Sequence, residues 1–154
     1  VSKERIKIIR TDASHADFVA LVEHLDADLA VRDGEDHPFY DQYNKIDEIK
    51  HAMVAYKDNK PIGCGALKAY EPGIVEIKRM YTTPQGRGKG VATSILAALE
   101  VWAKELSYER CILETGKKQP EAIALYKKNR YRVIPNYSPY IGVENSVCFE
   151  KRLP

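Results

Sequence analysis

Between residues 74 and 106 the chain changes from a β-period to a helical one across a short glycine-punctuated turn, and few folds accommodate that junction. Ile74-Val75-Glu76-Ile77-Lys78-Arg79-Met80-Tyr81 alternates apolar and polar residues and is rich in β-formers, which predicts a strand. Beyond the turn, Val91, Ile95, Leu99, Trp102 and Leu106 recur at helical spacing. Between them, Gln85-Gly86-Arg87-Gly88-Lys89-Gly90 places glycine at every second position. Such glycines let the backbone approach a ligand and turn free N–H groups toward it, while the helix N-terminus behind them adds the positive end of the macrodipole. Arg87 and Lys89 add full charges. The arrangement predicts an anion site, and a diphosphate suits it best. The dinucleotide fingerprint would need a further glycine where Val91 stands, and the P-loop would need Gly-Lys-Ser/Thr after four intervening residues; the chain has neither.

The chain around this junction has room for one packed core, since 154 residues with 44% hydrophobic and 30% charged side chains predict a single domain over 1–154. A net charge of +2, with no basic run interleaved with aromatics, argues against a nucleic-acid partner. No signal-like segment or long uncharged apolar run occurs, so the expectation is a cytoplasmic protein with no membrane partner. Cys64, Cys111 and Cys148 are odd in number and sit in apolar runs, which predicts reduced core residues. His15, His24, His37 and His51 lack metal-ligand spacing, so no metal is expected.

Taken in order, Arg5–Arg10 reads as an opening strand and Thr11–Ser14 as capping residues for a helix whose apolar face is Phe18, Leu21, Val22, Leu25 and Leu29. From Asp26 to Glu48 the composition turns acidic and aromatic, and the segment reads as loop and short helix. It is either a solvated surface excursion or a wall that attracts and stacks on a cationic substrate. His51–Tyr56 and Ile62–Leu67 predict a hairpin, and Glu71-Pro72-Gly73 a turn into the strand before the glycines. After the long helix come a strand at Arg110–Glu114, a helix opened by Gln119-Pro120-Glu121, and closing strands at Tyr131–Ile134 and Ser146–Glu150. Strand–helix–strand succession implies a parallel pairing across the long helix.

Gln85-Gly86-Arg87-Gly88-Lys89-Gly90, as Q-x-x-G-x-G between a strand and a helix, resembles motif A of the GNAT superfamily of acyl-CoA-dependent N-acyltransferases. Leu113-Glu114-Thr115-Gly116, then Gln119 to Tyr126, then Tyr131, is similar to that family's motif B. The resemblance covers nearly the whole chain. It implies an α/β fold with a mixed, mostly antiparallel sheet of about seven strands, about four flanking helices, and a splay between the strands around motif A. It implies acetyl-CoA as cosubstrate, with backbone groups of Met80 and Tyr81 on the pantetheine arm and Gln85, Gly86, Arg87, Gly88, Lys89, Gly90 and Val91 on the diphosphate. Two positions depart from the pattern. Gln119 stands where Asn is commoner, and keeps an amide for the arm. Arg130 stands where glycine serves a left-handed cap; either it bears that strain, or Asn129 adopts the conformation instead.

Acetyl transfer to an amine needs a neutral nucleophile. Deprotonating an alkylamine at pH 7 costs roughly 4–5 kcal/mol, so a base or a water relay is useful. Glu76 is the candidate base, against the alternative of a strand charge paired with a lysine; Glu114 is the reserve base or a substrate carboxylate. The match to Leu-Tyr of motif B makes Tyr126 the candidate acid for the departing thiolate. Asp36 and Tyr40 in the acidic stretch, with Tyr137 and Tyr140, are candidates for the acceptor pocket, although the Tyr137–Tyr140 segment equally suits a homodimer contact. The expected function is N-acetylation of a small, cationic primary amine by direct transfer. The alternatives are a protein or peptide N-acetyltransferase and a non-catalytic CoA-binding sensor.

Overall fold

The computed structural model describes residues 6–43, 45 and 49–154; Arg5, Asp47 and Glu48 of the predicted segments lie outside them. Seven strands form one sheet: β1 (Ile6–Thr11), β2 (His51–Lys57), β3 (Lys60–Glu71), β4 (Ile74–Thr82), β5 (Arg110–Gly116), β6 (Arg132–Ile134) and β7 (Ser146–Arg152). Their spatial order is β1-β2-β3-β4-β5-β7-β6, antiparallel throughout except for β4 with β5. Four α-helices flank the sheet among the described residues: α1 (Ala16–Asp33), α2 (His37–Asp41), α3 (Val91–Glu105) and α4 (Pro120–Lys128). One apolar cluster packs α3 and α4 on the sheet through Ile95, Leu96, Leu99, Tyr126 and Phe149. A second packs α1 through Phe18, Leu21 and Val22. Asp58 and Asn59, both at positive φ, close the β2–β3 hairpin as a two-residue turn whose twist matches the strands.

The feature that positions the site is the short contact between β4 and β5. Only Ile74–Glu76 pairs with Arg110–Ile112. Beyond Glu76, β4 stays with β3 as far as Thr82 and β5 stays with β7 as far as Gly116, so the two strands part. Within the diverging half of β4 the register against β3 slips between Cys64 and Ala66, and Arg79 takes φ 58. A bulge of this kind bends its strand and re-aims the residues around it. A left-handed arginine costs about 1–2 kcal/mol, and its surroundings hold it there. The buried guanidinium pairs with Asp26 of α1, and the Cys64 Sγ–H donates to the Arg79 carbonyl at 3.3 Å.

Two local expectations are corrected and one open alternative is decided. The first acidic residues are helical: α1 runs through Asp26 and Asp28 to Asp33 and stops where Gly34, at φ 54, donates its N–H to the Ala30 carbonyl. Leu25 and Leu29 extend the apolar face across that acidic stretch, and burial of one face outweighs the composition of the other. The α1 cap is His15, whose Nδ1 accepts from the Asp17 N–H at 3.2 Å, while Asp12 turns back on Ser14. At the end of α4 Arg130 itself takes the left-handed position, φ 71, and Asn129 does not, φ −93. Tyr131 N donates to Tyr126 O at 3.0 Å and Arg130 N to Lys127 O at 3.1 Å, a complete Schellman cap with arginine in the glycine position.

Candidate active site

The gap between β4 and β5 opens into two adjoining cavities. The larger, about 570 Å³, runs from Met80, Tyr81 and Thr82 past Gly86, Arg87, Gly88 and Gly90 to the start of α3, with α1 on one side and α4 on the other. The glycines here have two different duties. Gly86 is buried, and a side chain there would meet the Ile62 carbonyl at 3.2 Å. Gly88 and Gly90 hold φ 77 and 76, and a Cβ on either would meet nothing within 4 Å, so their backbone faces open space. Gly90 caps α3 without a side-chain bond, and the first intrahelical bond runs from Ser94 N to Gly90 O. The N–H groups of the first turn are therefore donors with no intrahelical partner, at the positive end of the helix. Arg87 borders them, its Nε donating to the Thr82 carbonyl at 3.2 Å. This geometry fits an extended ligand with a diphosphate at one end.

The smaller cavity, about 100 Å³, adjoins it, and Leu25, Leu29, Met80, Gln119, Ala122 and Tyr126 line both. Its own walls are mostly polar: Asp33 of α1, Tyr40 of α2, Glu76 and Lys78 of β4, Glu114 of β5 and Tyr140. Two carboxylates there have different surroundings. Glu76 Oε2 accepts from the Tyr137 hydroxyl at 2.7 Å, and its Oε1 lies 4.0 Å from Lys78 Nζ. Glu114 accepts one bond, from Ser146 Oγ at 2.7 Å, and Tyr40 Oη lies 2.8 Å behind that serine. Burial pushes the Glu114 carboxyl up to about 7, a rise that the Ser146 bond and the Lys78 charge only partly offset. Burial also lowers the Lys78 ammonium against the pull of Glu76 and Glu114. That ammonium donates to the Tyr43 carbonyl at 3.1 Å and faces the Tyr140 hydroxyl at 3.5 Å. Tyr126 is buried where the cavities meet, its ring edge-on to Tyr131, and burial raises its phenol well above the ordinary tyrosine range.

Of the residues singled out in the sequence, the structure gathers Met80, Tyr81, Gly86, Arg87, Gly88, Gly90, Val91 and Gln119 around the groove. Glu76, Glu114, Tyr40, Tyr126 and Tyr140 surround the smaller cavity, with Tyr137 behind Glu76. Gln85 and Lys89 are exposed on the turn and outside the groove lining, and Asp36 is exposed outside the cavity. Asp33, Lys78 and Ser146 are site residues that the sequence did not single out for this purpose. Asp33 continues the Leu25 and Leu29 row at four-residue steps, so extending the helical period would have placed it on that face. Among the described residues no group of three or more His, Cys, Asp and Glu is placed to hold a metal ion, and no helix is long and apolar enough to cross a membrane.

Residues 18–130 match the model of the Acetyltransferase (GNAT) family. The chain is 29% identical over 150 residues to an IAA acetyltransferase of Azospirillum brasilense, a match covering 96% of this chain and 98% of that one. A solved structure from Klebsiella pneumoniae, assigned as an acyl-CoA N-acyltransferase, superposes with a TM-score of 0.82 at 31% identity, covering 97% of this chain and 98% of its own. A GNAT family acetyltransferase from Elizabethkingia anophelis, solved with acetyl-CoA bound, shares the fold with a TM-score of 0.71 at 20% identity over 98% of this chain and all of that one.

Proposed function

The chain belongs to the GNAT acetyltransferase family, whose cosubstrate is acetyl-CoA, and from that premise we propose that its acceptor is the primary amine of a small cationic molecule, acetylated directly in a ternary complex. The observation that carries the proposal is the lining of the smaller cavity. Three carboxylates, Asp33, Glu76 and Glu114, border the space that meets the groove at Met80 and Tyr126. Of the cations in the same walls, Arg79 pairs with Asp26 and Lys78 lies 4.0 Å from Glu76, which leaves Asp33 and Glu114 without a cationic partner. A small ammonium is the complement of that field.

When bound, acetyl-CoA supplies an activated acyl thioester. Arg87, Gly88, Gly90 and Val91 would hold its diphosphate, while the backbone of Met80 and Tyr81 and the Gln119 amide would face the arm. Glu114 takes the proton of the attacking amine at Oε1 or Oε2. A carboxyl at about 7 is matched to that task at neutral pH. Glu76, the first candidate from sequence, is held by Tyr137 and neighbours Lys78, which suits it to fixing the cavity wall. Tyr126 keeps its proton because burial disfavours the phenolate, and as a residue lining both cavities it gives that proton to the departing sulfur. An acyl-enzyme on cysteine is disfavoured. Cys64, Cys111 and Cys148 are all buried, and burial raises their thiols to about 12, 12 and 11.

The test is thiol release from acetyl-CoA against a panel of amines, amino acids and peptides, for the wild type and Tyr126→Phe. Turnover with small cationic amines that collapses in the variant is the expected result. Turnover with peptides alone, or with neutral and anionic acceptors in preference, would reject it.

A further inference from the structure

Asp33 is the last residue of α1, only 2% exposed, and its carboxylate makes no hydrogen bond or ion pair among the described residues. Each circumstance is unfavourable. Burial strips an anion of water, and the C-terminal end of a helix carries the negative pole of the macrodipole. Buried carboxylates elsewhere in this protein have found partners: Glu150 holds Arg110 and Arg132, Glu76 holds Tyr137, and Glu114 holds Ser146. No nearby cation closes an ion pair with Asp33 among the described residues: Arg32 pairs with Glu121, and the charges of His37 and Lys118 reach Asp33 only at longer range.

The space in front of Asp33 is kept open. A Cβ added to Gly116 would lie 3.7 Å from Asp33 Oδ1, 3.4 Å from Gln119 Nε2 and 3.6 Å from Asn145 Nδ2, so the hydrogen-bond acceptor facing this space is the Asp33 carboxylate. Gly116 therefore leaves a small polar recess in the wall of the same cavity that Glu114, Met80 and Tyr126 line. The two carboxylates in that cavity without a cationic partner, Asp33 and Glu114, come from different elements and sense each other's charge.

We propose that Asp33 is a specificity-determining residue that binds a second ammonium group of the acceptor, so that the preferred substrate is a short-chain diamine with one nitrogen at Glu114 and the other in the Gly116 recess. This rests on the amine-acetylation reading above and narrows it to one substrate class. A monoamine would leave the Asp33 anion uncompensated, whereas a diamine supplies the cation that the fold withholds.

The experiment compares 1,3-diaminopropane and 1,4-diaminobutane with propylamine and butylamine, for the wild type and Asp33→Asn, by initial-rate kinetics and by titration calorimetry with coenzyme A present. The wild type is expected to favour the diamines in kcat/KM by at least tenfold. Asp33→Asn is expected to remove that preference, the diamine KM rising at least tenfold more than the monoamine KM. Relief of a buried unpaired charge should also raise the melting temperature of Asp33→Asn, which separates this effect from misfolding. Equal loss for both amine classes, or a wild type indifferent to the second nitrogen, overturns the proposal. Calorimetry separates its failure from that of the wider reading. If diamines bind the wild type but not Asp33→Asn and nothing is acetylated, the recess stands and the transfer reading falls. If monoamines are acetylated and diamines bind no better, the transfer reading stands and the recess falls.

Discussion

The groove takes the polar end of its ligand site from one continuous stretch, Gly86 to Thr93, whereas the smaller cavity draws on Asp33, Tyr40, Glu76, Glu114, Tyr140 and Ser146 from all over the chain. The first site is made mostly of backbone, with glycines that expose N–H groups and a helix start behind them. The second is made of side chains whose neighbours set their charge. A backbone site recognises what every member of a family shares, and it travels as a short motif. A side-chain site assembled from remote elements changes with any one of them, which is where acceptor choice can diverge while the cosubstrate stays the same. Met80, Gln119 and Tyr126 line both, so the chemistry falls at the seam.

The seam should give the largest effect. Tyr126→Phe keeps the ring packing against Tyr131 and Phe149 and removes one hydroxyl. We expect kcat to fall ~10²-fold or more, with the acetyl-CoA KM nearly unchanged; a steady-state comparison in which KM moves and kcat does not would assign Tyr126 to the groove alone.

Glu114→Gln tests the cavity by itself. Activity of the wild type should decline as pH falls through about 7, and the variant should lose both that limb and roughly 10²-fold in rate. Stability provides a second readout whose sign is fixed. The folded carboxyl titrates above its unfolded value, so its contribution is full below pH ~4.3 and is lost as pH rises toward 7. Wild type should lose roughly 3 kcal/mol across that window relative to Glu114→Gln. Denaturant midpoints at pH 4.5 and pH 8 that shift in parallel for the two proteins would remove Glu114 from the base role. If the acid limb instead survives in Glu114→Gln and vanishes in Glu76→Gln, the base is the residue the sequence first suggested.

A smaller and one-sided effect is expected in the groove. Gly88→Ala introduces a Cβ that meets no neighbouring atom but must sit at φ 77. Left-handed alanine costs about 1–2 kcal/mol, so holding the bound loop conformation should raise the acetyl-CoA KM ~10-fold. The amine KM should stay put. Equal changes in both constants would mean that the two sites are not separable in the way their construction suggests.

The same contrast explains what could be read from sequence. Alternation across Ile74–Tyr81, the glycine turn and the apolar row of α3 are local signals, and the strand, groove and parallel pairing follow from them. Motif B carried Glu114, Gln119 and Tyr126 to the cavities for the same reason. The acidic stretch was harder. Its composition suggests loop, yet Asp26, Asp28 and Asp33 are helical because Leu25 and Leu29 bury one face of α1, and composition carries no information about which carboxylate turns inward. Asp36, chosen from that stretch, is exposed, while Asp33 lines the cavity. The Arg79 bulge was silent for a different reason. Its φ of 58 is enforced by Asp26 and Cys64, residues distant in sequence, against the local preference of an arginine.

Arg130 offers the mildest test, because it lies outside both sites. The Schellman bonds from Arg130 and Tyr131 close α4 with arginine at φ 71, where glycine would carry no steric penalty. Arg130→Gly relieves about 1–2 kcal/mol of left-handed strain and gives back about 0.4–1 kcal/mol through the greater freedom of the unfolded chain. The net expectation is a stabilisation of roughly 0.5–1 kcal/mol, or about 1–4 °C in Tm for a chain of this size. Activity should not change, since Arg130 lines neither cavity. A fall in Tm would mean that the arginine side chain contributes more at the helix end than its backbone costs. A change in kcat would mean that the α4 cap positions Tyr126, four residues earlier on the same helix, and that the seam depends on this end of α4 as well as on the splay of β4 and β5.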